Sequence, residues 1–427
     1  MMMLAISGPM NSNINMLEKP SNSILFKASL YFLLTVGMTQ PVYSQDADIR
    51  ILVQDLASKR FATRQAAMAR LIELGSDVVP QVEAAIAEGS RELQFRAQRV
   101  LDAVEQNAYQ LQLEAFMQSG EQAAELPGWK EFKTLNGETS TARRLFVLMC
   151  RAEPELMRNL GRSKGVISNI VSKRCKELQQ VFRTYKRNSI KLGTVAGLLF
   201  VGGLDGIKVE DTSIKTIYSV CNYDAFRNEM YIRNPNGTSQ YRRTPRSNML
   251  RRLFAKWMKH GQSWDAQMAF NLAMQYDIRE ALPRAIALVK AKNTPCHVAQ
   301  IALVAVTRFG SLENIIDLES RIDDKSFCGV QQRVGQQLHQ TQLRDIALAG
   351  ALLLADQNPR EFGFPRISYT NQRQLNYSTV GFADEKERPW FARSGFEEGD
   401  LLILRDRPLL SSARWESDRN TYSSQHQ

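Results

Sequence analysis

The chain is short of most of what a sequence-legible active site is built from. Its 427 residues hold four histidines and five cysteines. The histidines are His260, His297, His339 and His426, and no pair of them forms H-E-x-x-H, which rules out that zinc-protease helix. No C-x-x-C occurs, so no ribbon-type zinc site or thioredoxin-type redox pair is spelled out. GRSKG (161–165) lacks the spacing of a phosphate-binding loop, and GLLFVGGLDG (197–206) lacks G-x-G-x-x-G between a strand and a helix. The second stretch reads as close helix packing followed by a turn. Asp323-Asp324 is one acidic pair in a loop-like stretch, too few carboxylates for a calcium loop. These absences remove the common routes to a metal or a nucleotide. No cofactor, metal or catalytic residue is expected.

Long apolar runs are also scarce. The run from Ala28 to Met38 is about half of the roughly 20 residues a membrane-spanning helix needs. Lys19 and Lys27 precede it, and Val42-Tyr43-Ser44 follows with modest side chains where a signal peptidase cuts. That three-part order predicts a secretory signal over residues 1–44, cleaved near Ser44, with a second possible start at Met16. The mature chain is then secreted or periplasmic, with no transmembrane span. Cysteines are too few for a disulfide scaffold. Among Cys150, Cys175, Cys221, Cys296 and Cys328, the last two would flank one proposed helical hairpin and are the candidate disulfide, with buried free thiols as the alternative.

What the chain has is repetition. In FATRQAAMARLIELG (61–75), Ala67, Met68, Leu71 and Ile72 lie at helical spacing, and Gly75 follows where a left-handed cap suits glycine. Pro80 falls in the first turn of the next helix. In RELQFRAQRVLDAVEQ, Leu93, Ala97, Val100, Leu101 and Val104 form an amphipathic stripe. AQIALVAVTRFG (299–310) and RDIALAGALLLA (344–355) return to the pattern. Without gaps, Arg64 falls on Arg344, Ala67 on Ala302 and Ala347, and Gly75 on Gly310. Helical hairpins of this kind bury their faces only by stacking.

FATRQAAMARLIELGSDVVPQVEAAI and its continuation resemble HEAT-type repeats. The wider chain resembles the secreted HEAT-repeat proteins of planctomycete-type bacteria. LPGWKEF (126–132), RRLFVLMCRAEPELM (143–157), LRRLFAKWM (250–258) and LRDIALAGALLLADQNPREFGF (343–364) extend that likeness along most of the chain. The resemblance implies an α-solenoid and transfers no functional residue. The expected fold is all-α, an α-solenoid of antiparallel hairpins with an irregular C-terminal extension. Residues 45–125 are read as N-terminal repeats, 126–260 as a central basic region, 261–365 as C-terminal repeats and 366–427 as an irregular, partly disordered tail. In DQNPREFGF (356–364), Asn358-Pro359 stops a helix, and Phe362 and Phe364 read as plugs on the last hairpin or as an aromatic docking point.

Charge is the most informative functional feature. The formal net charge is +11. Ten Lys/Arg stand against one acid, Glu177, between Arg158 and Lys191, and seven stand against none between Tyr241 and His260. Candidate binding residues are Lys173, Arg174, Lys176, Arg183, Lys186 and Arg187 in the first stretch. In the second they are Arg242, Arg243, Arg246, Arg251 and Arg252. Two readings stand: a positive patch for an anionic partner, or a polar face whose arginines meet carboxylates on neighbouring helices. The expected function is a non-enzymatic, extracytoplasmic protein–protein scaffold with a partner in the cell envelope. A first alternative binds an anionic envelope glycan or lipid through the basic stretches. A second is an enzyme whose residues converge only in three dimensions. The export signal disfavours nucleic acid.

Overall fold

Gly75 has φ +70° at the end of the second helix, a conformation that side chains resist and glycine adopts freely. Such punctuation helps divide the chain into successive helices. The computed structural model describes residues 43–118, 125–184, 190–233, 239–259, 263–370 and 374–388. The apolar run at 28–38 therefore lies outside the described residues. The protein is mostly helical, and among the described residues no helix is long and apolar enough to cross a membrane. Contacts divide it into two compact units after Val104.

The first unit holds α1 (Tyr43–Asp55), α2 (Phe61–Leu74), α3 (Val79–Glu88) and the start of α4 (Arg91–Gln118). Pro80 sits in the first turn of α3, where its missing N–H costs nothing. Val53, Leu56, Ala67, Leu71, Val82, Ala97 and Val100 close one apolar core. Each fully buried Leu or Val contributes about 2 kcal/mol.

The second unit continues from α4 into α5 (Trp129–Asn136), α6 (Ser140–Ala152), α7 (Pro154–Arg158), α8 (Lys164–Arg183), α9 (Leu192–Gly202), α10 (Asp211–Val220) and α11 (Asp224–Met230). A short hairpin, β1 (Tyr231–Arg233) with β2 (Ser239–Tyr241), precedes α12 (Pro245–Lys259). The expected Asn234–Gly237 turn lies outside the described residues, but the strands on either side of it pair antiparallel. Trp129, Phe132, Phe146 and Phe200 meet edge-on, tilted or stacked with neighbouring centroids 5.3–5.9 Å apart. This aromatic knot locks α5, α6 and α9 together. α9 is buried on every side because its glycines admit close approach. A Cβ on Gly193 would stand 2.2 Å from the Leu148 carbonyl oxygen on α6.

α13 (Ala266–Gln275), α14 (Leu282–Lys290), α15 (Cys296–Phe309), α16 (Ile315–Glu319) and α17 (Leu343–Leu354) complete the helices. α15 packs against α13, α14 and α17, while α16 packs on α14 and α17. The small-residue helices α15 and α17 are almost wholly buried.

Residues 261–365 were expected to be repeat-like helices throughout, and 327–342 are not. β3 (Phe327–Val334) and β4 (Gln337–Gln342) form an antiparallel hairpin there. A disulfide from Cys296 at the start of α15 to Cys328 on β3 anchors it, with Cα atoms 5.5 Å apart. β4 is extended by backbone bonds between Gln340 and Phe382. Cys150, Cys175 and Cys221 are buried free thiols, and burial pushes Cys150 up to about 11 and Cys175 to about 12. Past α17, Phe364, Ile367, Leu375, Val380 and Phe382 are buried in the same core, and Phe362 packs against it. α17 ends at Leu354, before Asn358-Pro359 is reached.

Candidate functional site

The two basic stretches fold into different environments. SKRCKELQQVFR lies on α8, which turns Ile167, Val171, Cys175 and Leu178 inward against α10 and the neighbouring helices. Helical spacing then carries Lys173, Lys176 and Arg183 to solvent. Lys173 meets Glu155 at 3.0 Å, with both side chains more than half exposed. Arg174 clamps the buried Glu153 through two bonds of 2.8 and 3.0 Å and reaches Glu177 at 2.9 Å. A shallow depression of about 500 Å³ opens here, lined by Asn169, Ser172, Lys173, Lys176, Glu177 and Glu210. Its mixed charge suits a polar surface contact better than a pure polyanion site. Lys186 and Arg187 lie outside the described residues.

GRSKG, at the entrance to α8, also has the G-x-S-x-G spacing of a hydrolase nucleophile elbow. The local structure is not an elbow. A 3₁₀ turn precedes Ser163 where an elbow has a strand, and Ser163 sits in ordinary extended backbone as the N-cap of α8.

The second stretch is divided: Arg251 is buried, Arg242 and Arg252 are half-buried, and Arg243 and Arg246 are exposed. α12 buries Leu250, Leu253, Phe254, Trp257 and Met258 against α9, α6 and α5. Arg251 goes with them and is 1% exposed, so it is not available as a surface donor. Its guanidinium donates to Ser247 Oγ at 3.1 Å, Asn248 Oδ1 at 3.3 Å and the Met230 carbonyl at 3.4 Å. All three acceptors are neutral. Burial first, and the neighbouring Arg243 second, lower Arg251 to about 10. Arg252 donates to Asn136 Oδ1 at 3.2 Å, and Arg246 pairs with Glu229 on α11. The Arg242 side chain is half-buried, with its Nε enclosed.

Arg243 leads to a centre that sequence reasoning missed. It pairs with Asp277, a 3% exposed carboxylate in the turn after α13. Arg308, at the end of α15, meets the other Asp277 oxygen at 3.3 Å, and Arg279 stands 3.8 Å away. Asp277 has φ +52°, a conformation aspartate tolerates better than most residues. One buried carboxylate thus ties the approach to α12, the turn after α13 and the end of α15. Nothing in the sequence pairs positions 34 apart.

Two further charged centres tie elements in the same way. Asp265, fully buried, accepts from Tyr218 Oη at 3.1 Å and from Arg284 at 2.7 Å. Burial, and then the Asp265 charge, push the Tyr218 phenol well above its ordinary range. Near the end of the described chain, Arg388 donates to Asp345 at 3.1 Å and to Glu385 at 2.8 Å, and Arg344 also binds Glu385. Hydrogen bonding from Arg344 holds Glu385 down at about 2. Among the described residues no three His, Cys, Asp or Glu side chains cluster as a metal site would need. No family model, no curated protein and no solved structure matches this chain.

Proposed function

We propose that the chain is a non-enzymatic protein-binding scaffold acting outside the cytoplasm, built as an α-solenoid of HEAT-like hairpins and akin to the secreted HEAT-repeat proteins it resembles. The observation that carries this reading is the packing order from α13 to α17. α13, α15 and α17 pack in succession, and α14 and α16 pack in succession beside them, so each helix meets its near neighbours in sequence. Nearest-neighbour packing is what a stacked repeat requires. The Cys296–Cys328 disulfide supports an oxidising compartment. The arginine pairing supports a protein partner over an anionic polymer, because Arg174, Arg243 and Arg246 already meet carboxylates of this chain.

A second reading keeps one specific support. Lys176 and Arg183 stay at the surface of α8, available to a glycan or lipid headgroup. A pull-down from native envelope extract at low and high salt separates the two. A discrete protein retained at high salt supports the scaffold. Glycan or lipid lost at high salt moves the function to α8. Capture of nothing at either salt overturns both.

A further inference from the structure

We propose that the edge of the first unit carrying Phe61, Arg64, Phe95 and Arg99 is a docking surface for an acidic peptide segment of a partner protein, with an aromatic or aliphatic side chain set between carboxylates. The proposal deepens the scaffold reading and rests on it.

The rings are not core residues that failed to pack. α2 buries Ala67 and Leu71, and α4 buries Ala97, Val100 and Leu101, while Phe61 is 66% and Phe95 65% exposed outside those stripes. A single exposed phenylalanine would need no explanation. Here the same arrangement occurs twice. The Arg64 guanidinium lies 5.6 Å over the Phe61 ring, and that of Arg99 lies 6.0 Å over the Phe95 ring. The two helices that carry these pairs are also tied to one turn. Arg64 donates to the carbonyls of Ser58 at 2.8 Å and Lys59 at 2.9 Å, and Arg96, beside Phe95, donates to the Leu56 carbonyl at 2.6 Å. Arginines of α2 and α4 thus close on the same turn after α1.

Charge selects the occupant. Residues 59–64 hold Lys59, Arg60 and Arg64 with no acid, and residues 91–99 hold Arg91, Arg96 and Arg99 with Glu92 alone, already paired to Arg96. An arginine fork lying on an aromatic ring offers two contacts at once. A carboxylate meets the fork, and an apolar side chain lies along the ring edge. One face of each ring is taken by its own guanidinium, which favours this arrangement over an open platform for stacked bases.

The test uses the full chain and two fluorescein-labelled peptides in a polarisation titration. One alternates glutamate with phenylalanine and leucine, and the other carries glutamine at every glutamate. Wild type should bind the glutamate peptide roughly tenfold more tightly. The Phe61→Ser, Phe95→Ser double variant should weaken that binding by roughly tenfold and Arg99→Gln by a few-fold, with thermal melts unchanged because these side chains are exposed. Equal binding of the two peptides, or undiminished binding by the double variant, overturns the proposal. So does a thymidine oligonucleotide that binds more tightly than the glutamate peptide and depends on the same rings. If wild type and the double variant capture the same envelope protein at high salt, this edge is wrong and the scaffold reading stands. If the glutamate peptide binds as expected and the extract yields nothing, the edge stands and the envelope scaffold falls.

Discussion

α8 and α12 each carry five Lys/Arg, and by composition either could be a cationic surface. Their surroundings decide otherwise. α8 rests mainly on α10 and keeps Lys164, Lys173, Lys176 and Arg183 in water. α12 packs on α9, α6 and α5, and Arg251 is carried into the interior with its apolar stripe. A count of basic residues therefore measures charge and not its availability. Helix position within the packing converts one into the other, and on α12 it converts arginine into an internal fastener.

The contrast should show most strongly at Asp277. Removing this buried acceptor takes the carboxylate from Arg308, while Arg243 and Arg279 reach water, so Asp277→Ala should cost about 2.5 kcal/mol in a denaturant titration. A loss below about 0.5 kcal/mol would make the cluster a surface decoration. Arg251 gives the next largest effect. Arg251→Ala should cost about 2 kcal/mol through the cavity it opens, and Arg251→Met should recover most of that by filling the space without a desolvated charge. Equal losses in the two variants would mean that the three polar bonds, and not volume, hold α12 in place.

Acid should find the matched charges first. Glu385 is held at about 2, below its ordinary 4.5, so its contribution is present above about 4.5 and is lost as pH falls toward about 2. Melting temperature should fall more steeply for wild type than for Glu385→Gln over that window, and parallel curves would contradict the assignment. Because Glu385 is half-exposed, the difference should shrink in salt. The smallest effects belong to α8. Lys176→Ser and Arg183→Ser should each stay within about 0.5 kcal/mol of wild type in stability, so any change they cause in heparin retention reports surface binding alone.

The same contrast marks what the sequence made legible. α2, α3, α15 and the buried α17 follow from alanine-rich apolar spacing with Gly75, Pro80 and Gly310 as punctuation, all of which are local signals. The β3–β4 hairpin was hidden because CGVQQRVGQQLHQTQ is mostly polar and shows little alternation. The strand geometry there is held from outside, by Cys296 and by the backbone of Phe382. The inward turn of Arg251 was hidden because a guanidinium reads as surface until its helix is placed. Asp277 was hidden because its partners come from 34 residues before it and 31 after it. Long-range pairing leaves no periodic trace.

The Cys296–Cys328 bond has a mechanical consequence. It joins residues 32 apart in sequence at a Cα separation of 5.5 Å, with α15, α16 and the start of β3 inside the ring. That stretch, drawn taut, would reach roughly 110 Å at about 3.4 Å per residue. Pulled from its ends, the oxidised chain withholds nearly all of that contour, and tension bypasses α15 along the covalent shortcut. Under reducing conditions the hidden length should return as one additional extension of roughly 100 Å, readable in a single-molecule force trace.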